Sequence, residues 1–251
     1  MTPQEMVSRL LYRDALMLVI DKPAGFAVHR GPKGGASLED YFDALRFGLP
    51  RPPALAHRLD RDTSGCLVLG RHRKALARLG RLFKSGSVSK TYWAVVEGAP
   101  EADEGVVSLP LGRRDAARGW WMKHDPHDGR RAVTKWRVLG HCRGGDGAAA
   151  MSWLELEPLT GRTHQLRVHC AEMGFPIRGD AIYGTALSGG LDLHARGIVV
   201  PLYKNRPPVR VVAPVPQPMQ KRLTMCGWHG EAAAVPCEDA VAGTARGAAT
   251  P

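Results

Sequence analysis

Residues 56–70 read Ala56-His57-Arg58-Leu59-Asp60-Arg61-Asp62-Thr63-Ser64-Gly65-Cys66-Leu67-Val68-Leu69-Gly70. The stretch falls into two halves. The first packs two arginines, two aspartates and a histidine ahead of a turn, and the second, Cys66 to Leu69, is a short apolar run of the kind that forms a buried strand. An isolated Asp–Arg pair is most often a surface salt bridge of little consequence. Placed in a cleft, the same pair acts differently, because an adjacent guanidinium favours the charged carboxylate and leaves it available as a nucleophile or base. Asp60 and Asp62 are poor candidates for the opposed carboxylates of a glycosidase, since two residues apart on one segment they lie side by side. A magnesium site is disfavoured by Arg58 and Arg61, which repel a cation.

Outward from this motif, strands dominate. Ala15 to Asp21 is an aliphatic run stopped by Lys22-Pro23-Ala24-Gly25, and Phe26 to Val28 can resume it. Ser37 offers an N-cap for a helix running to about Phe47. Residues 73–84 change period: Leu76, Leu79 and Phe83 recur at helical spacing, with Lys74, Arg78 and Arg81 on another side. Thr91 to Glu97, Val106 to Leu109, Ala132 to Leu139, Ser152 to Leu156, Gly197 to Leu202 and Val209 to Ala213 read as further strands. The loop Arg143 to Ala149 is hairpin-like. Thr163 to Met173 reads as a helix with Thr163 as N-cap and Gly174 and Pro176 as stop signals. Strands in runs with few helices between them indicate an α+β fold with a mixed, largely antiparallel sheet and flanking helices. Residues 1–226 are expected to form one domain, and 227–251, rich in Ala, Gly and Pro, a flexible tail.

Composition narrows the partner. The 251 residues are 44% hydrophobic and 24% charged, ordinary globular usage that excludes wholesale disorder. Lys and Arg number 35 against 24 Asp and Glu, a formal net charge of +11 that should attract polyanions, nucleic acid first. The longest aliphatic run, Ala15 to Ile20, is far below the ~18 residues a membrane span needs. From Arg71 to Lys90 there are seven Lys or Arg and no acid, either a solvated face or a phosphate-contacting one, with the whole-chain charge favouring the second. The five cysteines are odd in number and contain no Cys-x-x-Cys pair, which argues for a reducing, cytoplasmic setting and against a zinc site.

Other chemical signatures fail. There is no phosphate-cradling G-x-x-x-x-G-K-[ST] and no G-x-S-x-G. Ser87-Val88-Ser89-Lys90 matches S-x-x-K by letter only. His229-Gly230-Glu231 followed by Pro236-Cys237 imitates a zinc deaminase signature, but Ala240 stands where the second cysteine is required.

The motif HRLDRDTSG followed by CLVLG resembles the active-site signature of the RluA-family pseudouridine synthases. Further blocks in the same order strengthen the resemblance: Asp21 to His29, Lys90 to Val96, Leu154 to His169, Pro176 to Gly184 and Leu193 to Ala195. Together they cover roughly residues 15–215. The resemblance implies a pseudouridine synthase-like catalytic domain that needs no cofactor, since breaking an N1 glycosidic bond and rejoining the base through C5 oxidises nothing. It implies Asp60 as the catalytic carboxylate, Arg167 as the basic residue paired with it, and Tyr92 as the aromatic residue on which the target base stacks.

A base inside a stem must be flipped out to react, and Arg58 resembles the family's candidate for the wedge that fills the vacated stack. His57, Thr63, Arg162 and Gln165 fall with Arg58 on the substrate-binding side, His57 and Thr63 chiefly as residues that shape the loop. His164 and His169 are expected to be structural. The partner implied is a structured RNA, a tRNA or rRNA stem-loop, bound by a monomer through its own basic surface, with no membrane involved. The rival reading is a noncatalytic RNA-binding protein on the same scaffold. The chain departs from the family pattern at Cys66, at His29-Arg30 and after Ala195.

Overall fold

The computed structural model describes residues 1–31, 34–114, 121–144 and 150–231. Its centre is a ten-stranded sheet. β1 (Leu10–Arg13), β2 (Met17–Lys22), β3 (Ala54–Leu55), β4 (Ser64–Gly70), β5 (Ser89–Glu97), β6 (Glu104–Ser108), β9 (Val133–Cys142), β10 (Met151–Pro158), β11 (Leu193–Val200) and β12 (Val209–Val212) contribute to it. The main order is β1-β2-β4-β11-β5-β10-β9-β6, with β3 on β4 and β12 on β11. All pairings are antiparallel except β4 with β11. A separate two-stranded ribbon joins β7 (Leu111–Arg113) to β8 (Met122–His124). The α+β expectation with a largely antiparallel sheet therefore describes the molecule.

Why β2 and β4 are apolar without alternation is visible in the packing. Leu18, Ile20, Leu67 and Leu69 point to one face, where they meet Met6 of α1 (Pro3–Ser8) and Leu38, Phe42 and Leu45 of a 3-10 helix (Leu38–Leu45). Met17, Val19, Cys66 and Val68 point to the other, toward Leu79 of α2 (Arg73–Lys84). Both faces are buried, so period-two patterning has no polar side to show. The other half repeats the arrangement. Ala94, Val96, Leu154 and Leu156 pack under Leu166 and Cys170 of α3 (Gln165–Glu172), while Val95, Met151 and Trp153 pack on Met219 and Leu223 of α4 (Gln217–Met225). The two halves join at the only parallel contact among the described strands, β4 with β11. Gly65 makes that contact possible: its φ is +104°, and a Cβ there would lie 2.3 Å from the Ala195 carbonyl oxygen.

Several expectations need correction. Phe26 to Val28 is not a strand, and the segment after Ser37 closes as a 3-10 helix ending at Leu45. The N-cap of α3 is His164 rather than Thr163, and its backbone lies in the left-handed region with φ 52°. Order also persists beyond residue 226. Trp228 is buried with Trp153 and Val215, and Glu231 accepts hydrogen bonds from Arg196 and from the Val215 amide. The expected tail beyond Glu231, and residues 145–149 of the expected hairpin loop, lie outside the described residues.

Candidate active site

The Asp60 loop spans 56–63, between β3 and β4, and is fastened through its backbone and through the side chains of His57 and Arg61, the latter donating from Nε to the Gly25 carbonyl at 2.9 Å. Ala56 donates to the Val68 carbonyl at 3.0 Å, and the Thr63 amide donates to the Asp60 carbonyl at 3.2 Å. Val68 in turn donates its amide to His57 Nε2 at 3.0 Å, with the imidazole stacked on Phe83. Burial pushes the His57 pKa down to about 3, so at neutral pH the ring is an uncharged acceptor. Where β4 begins, Ser64 Oγ lies 2.9 Å from His194 Nδ1.

The strongest fastening comes from Lys22, at the end of β2. Its side chain is fully buried, and Nζ donates to the carbonyls of Pro23 at 2.8 Å, Arg61 at 2.7 Å and Thr63 at 2.9 Å. All three ammonium protons are thus used on backbone oxygens. Burial pulls the Lys22 pKa down to about 7, against the opposing charges of Asp62, Asp60 and Asp21. Lys22 holds the loop that carries Asp60; in the sequence it was visible only as a letter in the Asp21 to His29 block.

What this leaves is a carboxylate with no hydrogen bond among the described residues. The Asp60 side chain is 27% exposed, and the cation-capable group nearest it, His164 Nε2, is 3.9 Å from Oδ2. It opens onto a cleft of about 960 Å³ lined by the Asp60 loop, the start of β5, the end of β10 and the first turn of α3. Tyr92 lines the same cleft and packs against the cores of both halves of the sheet. Burial, with the nearby charges of Asp60 and Cys66, pushes its phenol pKa upward, so the ring enters the cleft as a neutral aromatic face.

Arg167 also reaches the cleft, but its direct partner differs from the one the resemblance implied. Nε and Nη2 form a two-pronged pair with Asp180 at 2.7 and 2.6 Å, and both side chains are almost wholly buried. Asp180 is preset for this by the amides of Ile182 and Tyr183, at 2.9 and 3.1 Å from Oδ1. Burial opposes the Arg167 charge, and the Asp180 hydrogen bonds and charge outweigh it, with Asp60 adding at longer range. The third prong, Nη1, lies 3.3 Å from His164 Nε2, while His164 Nδ1 is 2.8 Å from the Tyr183 hydroxyl. A guanidinium can only donate, so Nε2 is the acceptor and Nδ1 carries the proton. Burial lowers the His164 pKa as well, consistent with a neutral ring.

The other expected residues divide. Arg58 is exposed at the cleft, and Arg162 lies on its rim with Nε donating to the Arg131 carbonyl at 3.0 Å. Thr63 is buried. Gln165 is also buried, and its amide is fully used inside the protein: Oε1 accepts from the Thr160 hydroxyl and the Arg162 amide, and Nε2 donates to the Val133 carbonyl and Thr134 Oγ1. Gln165 therefore fixes the β10–α3 corner and has no polar atom left for substrate. Asp180 and Tyr183, like Lys22, carry no role assigned from the sequence, although both lie in the Pro176 to Gly184 block.

Comparison with known proteins decides the family. Residues 16–172 match the family model described as RNA pseudouridylate synthase. The chain belongs to the RluA-type RNA pseudouridine synthases. An uncharacterized RNA pseudouridine synthase of Zymomonas mobilis is 41% identical over 216 residues, covering 84% of this chain and 95% of the relative. The ribosomal large subunit pseudouridine synthase D of Xanthomonas campestris is 36% identical over 243 residues, covering 88% and 70%. Among solved structures, human RNA pseudouridylate synthase domain containing 4 superposes with a TM-score of 0.72 at 26% identity, covering 89% of this chain and 94% of that one. A pseudouridine synthase converts uridine in RNA to its carbon-linked isomer, and the cleft contains the three side chains that the sequence resemblance assigned to that task.

Proposed function

We propose that this pseudouridine synthase acts on a uridine in a structured rRNA or tRNA, with Asp60 as nucleophile or base, Tyr92 as the stacking surface and Arg167 as the fixed positive charge. The observation that carries the assignment is the free state of the Asp60 carboxylate. Every hydrogen bond to its loop is made by other groups, so its oxygens face the cleft uncommitted. The overall reaction breaks N1–C1′, forms C5–C1′, takes a proton from C5 and returns one to N1. Atoms and electrons balance without a co-reactant. A detached base must be held while it rotates, and the Tyr92 ring offers a surface that grips a face without fixing an edge.

The ribosomal substrate draws support from the name of the Xanthomonas relative and from the net charge of +11. The reading includes a monomer in a reducing cytoplasm, consistent with the unpaired, buried thiols of Cys66, Cys170 and Cys226. The test is Asp60→Asn, which keeps shape and hydrogen-bonding capacity while removing the charge. Chromatography of nucleosides from unmodified large-subunit rRNA and tRNA transcripts should show pseudouridine with the wild-type protein and none with the variant, while both bind RNA alike. Normal turnover by Asp60→Asn would overturn the assignment. Tight binding without product in the wild-type protein would leave only an RNA-binding role.

A further inference from the structure

The amphipathic helix α2 carries cations at both ends, Arg81 and Lys84 in the last turn, where the helix dipole favours them, and two more in the first. Ala75 and Leu79 are buried, and Leu82 and Phe83 pack on the same cluster. Arg73, Lys74, Arg81 and Lys84 are exposed, and none has an acidic partner within ion-pair distance among the described residues. No acid occurs in the sequence from Arg71 to Val96. Arg73 and Lys74 sit in the first turn, where the positive end of the helix dipole disfavours cations. Their placement works against the helix, which points to a use outside it.

The two ends of α2 give the direction. Lys84 at its C-terminus lines the active-site cleft together with Lys90. At its N-terminus, Arg73 and Arg51 border a second, mainly apolar hollow of about 310 Å³, where Arg71 is already used on the carbonyls of Asp14, Arg46 and Phe47. Twelve residues at ~1.5 Å rise span about 18 Å, enough to follow several successive phosphates. Lys74, Arg78 and Arg81 share one side of the helix by their spacing. Beside them Arg206 lies over the Tyr203 ring, and Tyr203 packs against the same cluster as Leu79. The acid beneath this surface, Asp14, is occupied by the hydroxyls of Tyr12 and Tyr203 and the amides of Leu16 and Met17.

We propose that the solvent face of α2 is a track for the RNA backbone leaving the cleft, running from Lys84 at the mouth to Arg73 beside the second hollow. The inference rests on the RNA reading above and adds where the strand flanking the target uridine lies. The track reads phosphates rather than bases, so it extends grip without adding sequence preference.

The test compares charge-matched pairs. Binding of an unmodified large-subunit rRNA transcript is measured against salt for the wild-type protein, R81A/K84A, R73A/K74A and, as control, K135A/K221A, whose lysines are exposed on β9 and α4. Each lost phosphate contact lowers the log–log slope by about 0.7–0.9, so each α2 pair should lower it by roughly 1.4–1.8 while the control barely changes. Turnover at saturating RNA should be kept in the control K135A/K221A, whose lysines lie outside the cleft and the track. Alanine favours a helix, and circular dichroism checks that the variants are folded. Slopes of both α2 pairs equal to the control would overturn the track, as would an effect confined to R81A/K84A. So would loss of binding to anionic phospholipid vesicles with the RNA slopes unchanged, which would assign the face to lipid. Failure of the wild-type protein to form pseudouridine would count against the RNA-isomerase reading instead, and the slopes would still report on the track.

Discussion

Asp60 and Arg167 look into one cleft, yet they are fixed in opposite ways. Asp60 rides on a loop tied down by Lys22, by its own His57 side chain and by β4, and its carboxylate is left without a hydrogen bond among the described residues. Arg167 projects from a short helix and is held by its head group, two prongs on Asp180 and the third beside His164. A reacting group must keep its lone pairs free, so the scaffold can grip it only through the main chain. A side chain that only positions others can be gripped by its head group, because none of its hydrogen bonds has to be kept free for the reaction. The difference teaches which of the two is meant to touch substrate.

The most damaging way to break this contrast is to remove the grip on Arg167. Asp180→Asn keeps the size of the side chain and strands a guanidinium that is only 4% exposed. Breaking a buried pair from one side costs on the order of 3–5 kcal/mol. For a chain of this size that is a fall in melting temperature of roughly 10 °C, readable by calorimetry. Turnover should fall with it, because the released guanidinium can swing toward the remaining free carboxylate, Asp60. A variant as stable as wild type would mean that Arg167 is held by something other than Asp180.

The other side of the cleft is tested through pH. His194 is fully buried, with Nδ1 2.9 Å from Ser64 Oγ where the Asp60 loop enters β4. Burial pushes its pKa down to about 4 from 6.5. Below pH 6.5 the unfolded chain binds a proton that the folded chain refuses, so the stability present at neutral pH is lost as pH falls from 6.5 toward 4. The full shift corresponds to about 3 kcal/mol. Denaturant unfolding at pH 7 and pH 4.5 should show both proteins declining through His57, which burial also keeps neutral, while His194→Gln starts less stable by about 1 kcal/mol and declines less steeply than the wild-type protein. Parallel declines would place the acid-sensitive group elsewhere.

The same contrast explains what the sequence disclosed. The Asp60 loop is contiguous with the strand it feeds, so ten adjacent residues display both the chemistry and the buried run after it. β2, β4, β5 and α2 were legible for similar reasons, their patterns being local. The grip on Arg167 is not local. Asp180 lies thirteen residues on, and nothing in Arg167 or its neighbours says which acid it will meet once the chain has turned at Gly174 and Pro176. α4 was hidden by its prolines, Pro216 and Pro218, which read as breakers but sit at the cap and first turn, where a missing N–H costs nothing. Trp228 and Glu231 were lost in an Ala/Gly-rich composition, although one aromatic and one carboxylate are enough to fasten the chain to Trp153 and Arg196.

His164 lies between the two groups at the β10–α3 corner. It is one of two non-glycine residues at positive φ among those described, and left-handed backbone costs an L-residue roughly 1–2 kcal/mol. That strain turns its ring inward, with Nε2 between Arg167 Nη1 and Asp60 Oδ2 and Nδ1 on Tyr183. The imidazole is thus hydrogen-bonded to the gripped charge and packed beside the free one, without a hydrogen bond to it. Glycine at this position relieves the backbone and deletes the contacts to Arg167 and Tyr183, so its two consequences have opposite signs. His164→Gly should leave the melting temperature within a few degrees of wild type, since relief of strain offsets the lost hydrogen bonds. Turnover should fall by about tenfold with KM for RNA little changed, because the ring orders the site and not the RNA backbone. His164→Asn, which tolerates the left-handed conformation and keeps a polar atom, should recover part of the rate. An unchanged kcat in His164→Gly would show that Asp60 and Arg167 keep their relative positions without the imidazole, and that the strain at residue 164 serves only the corner between β10 and α3.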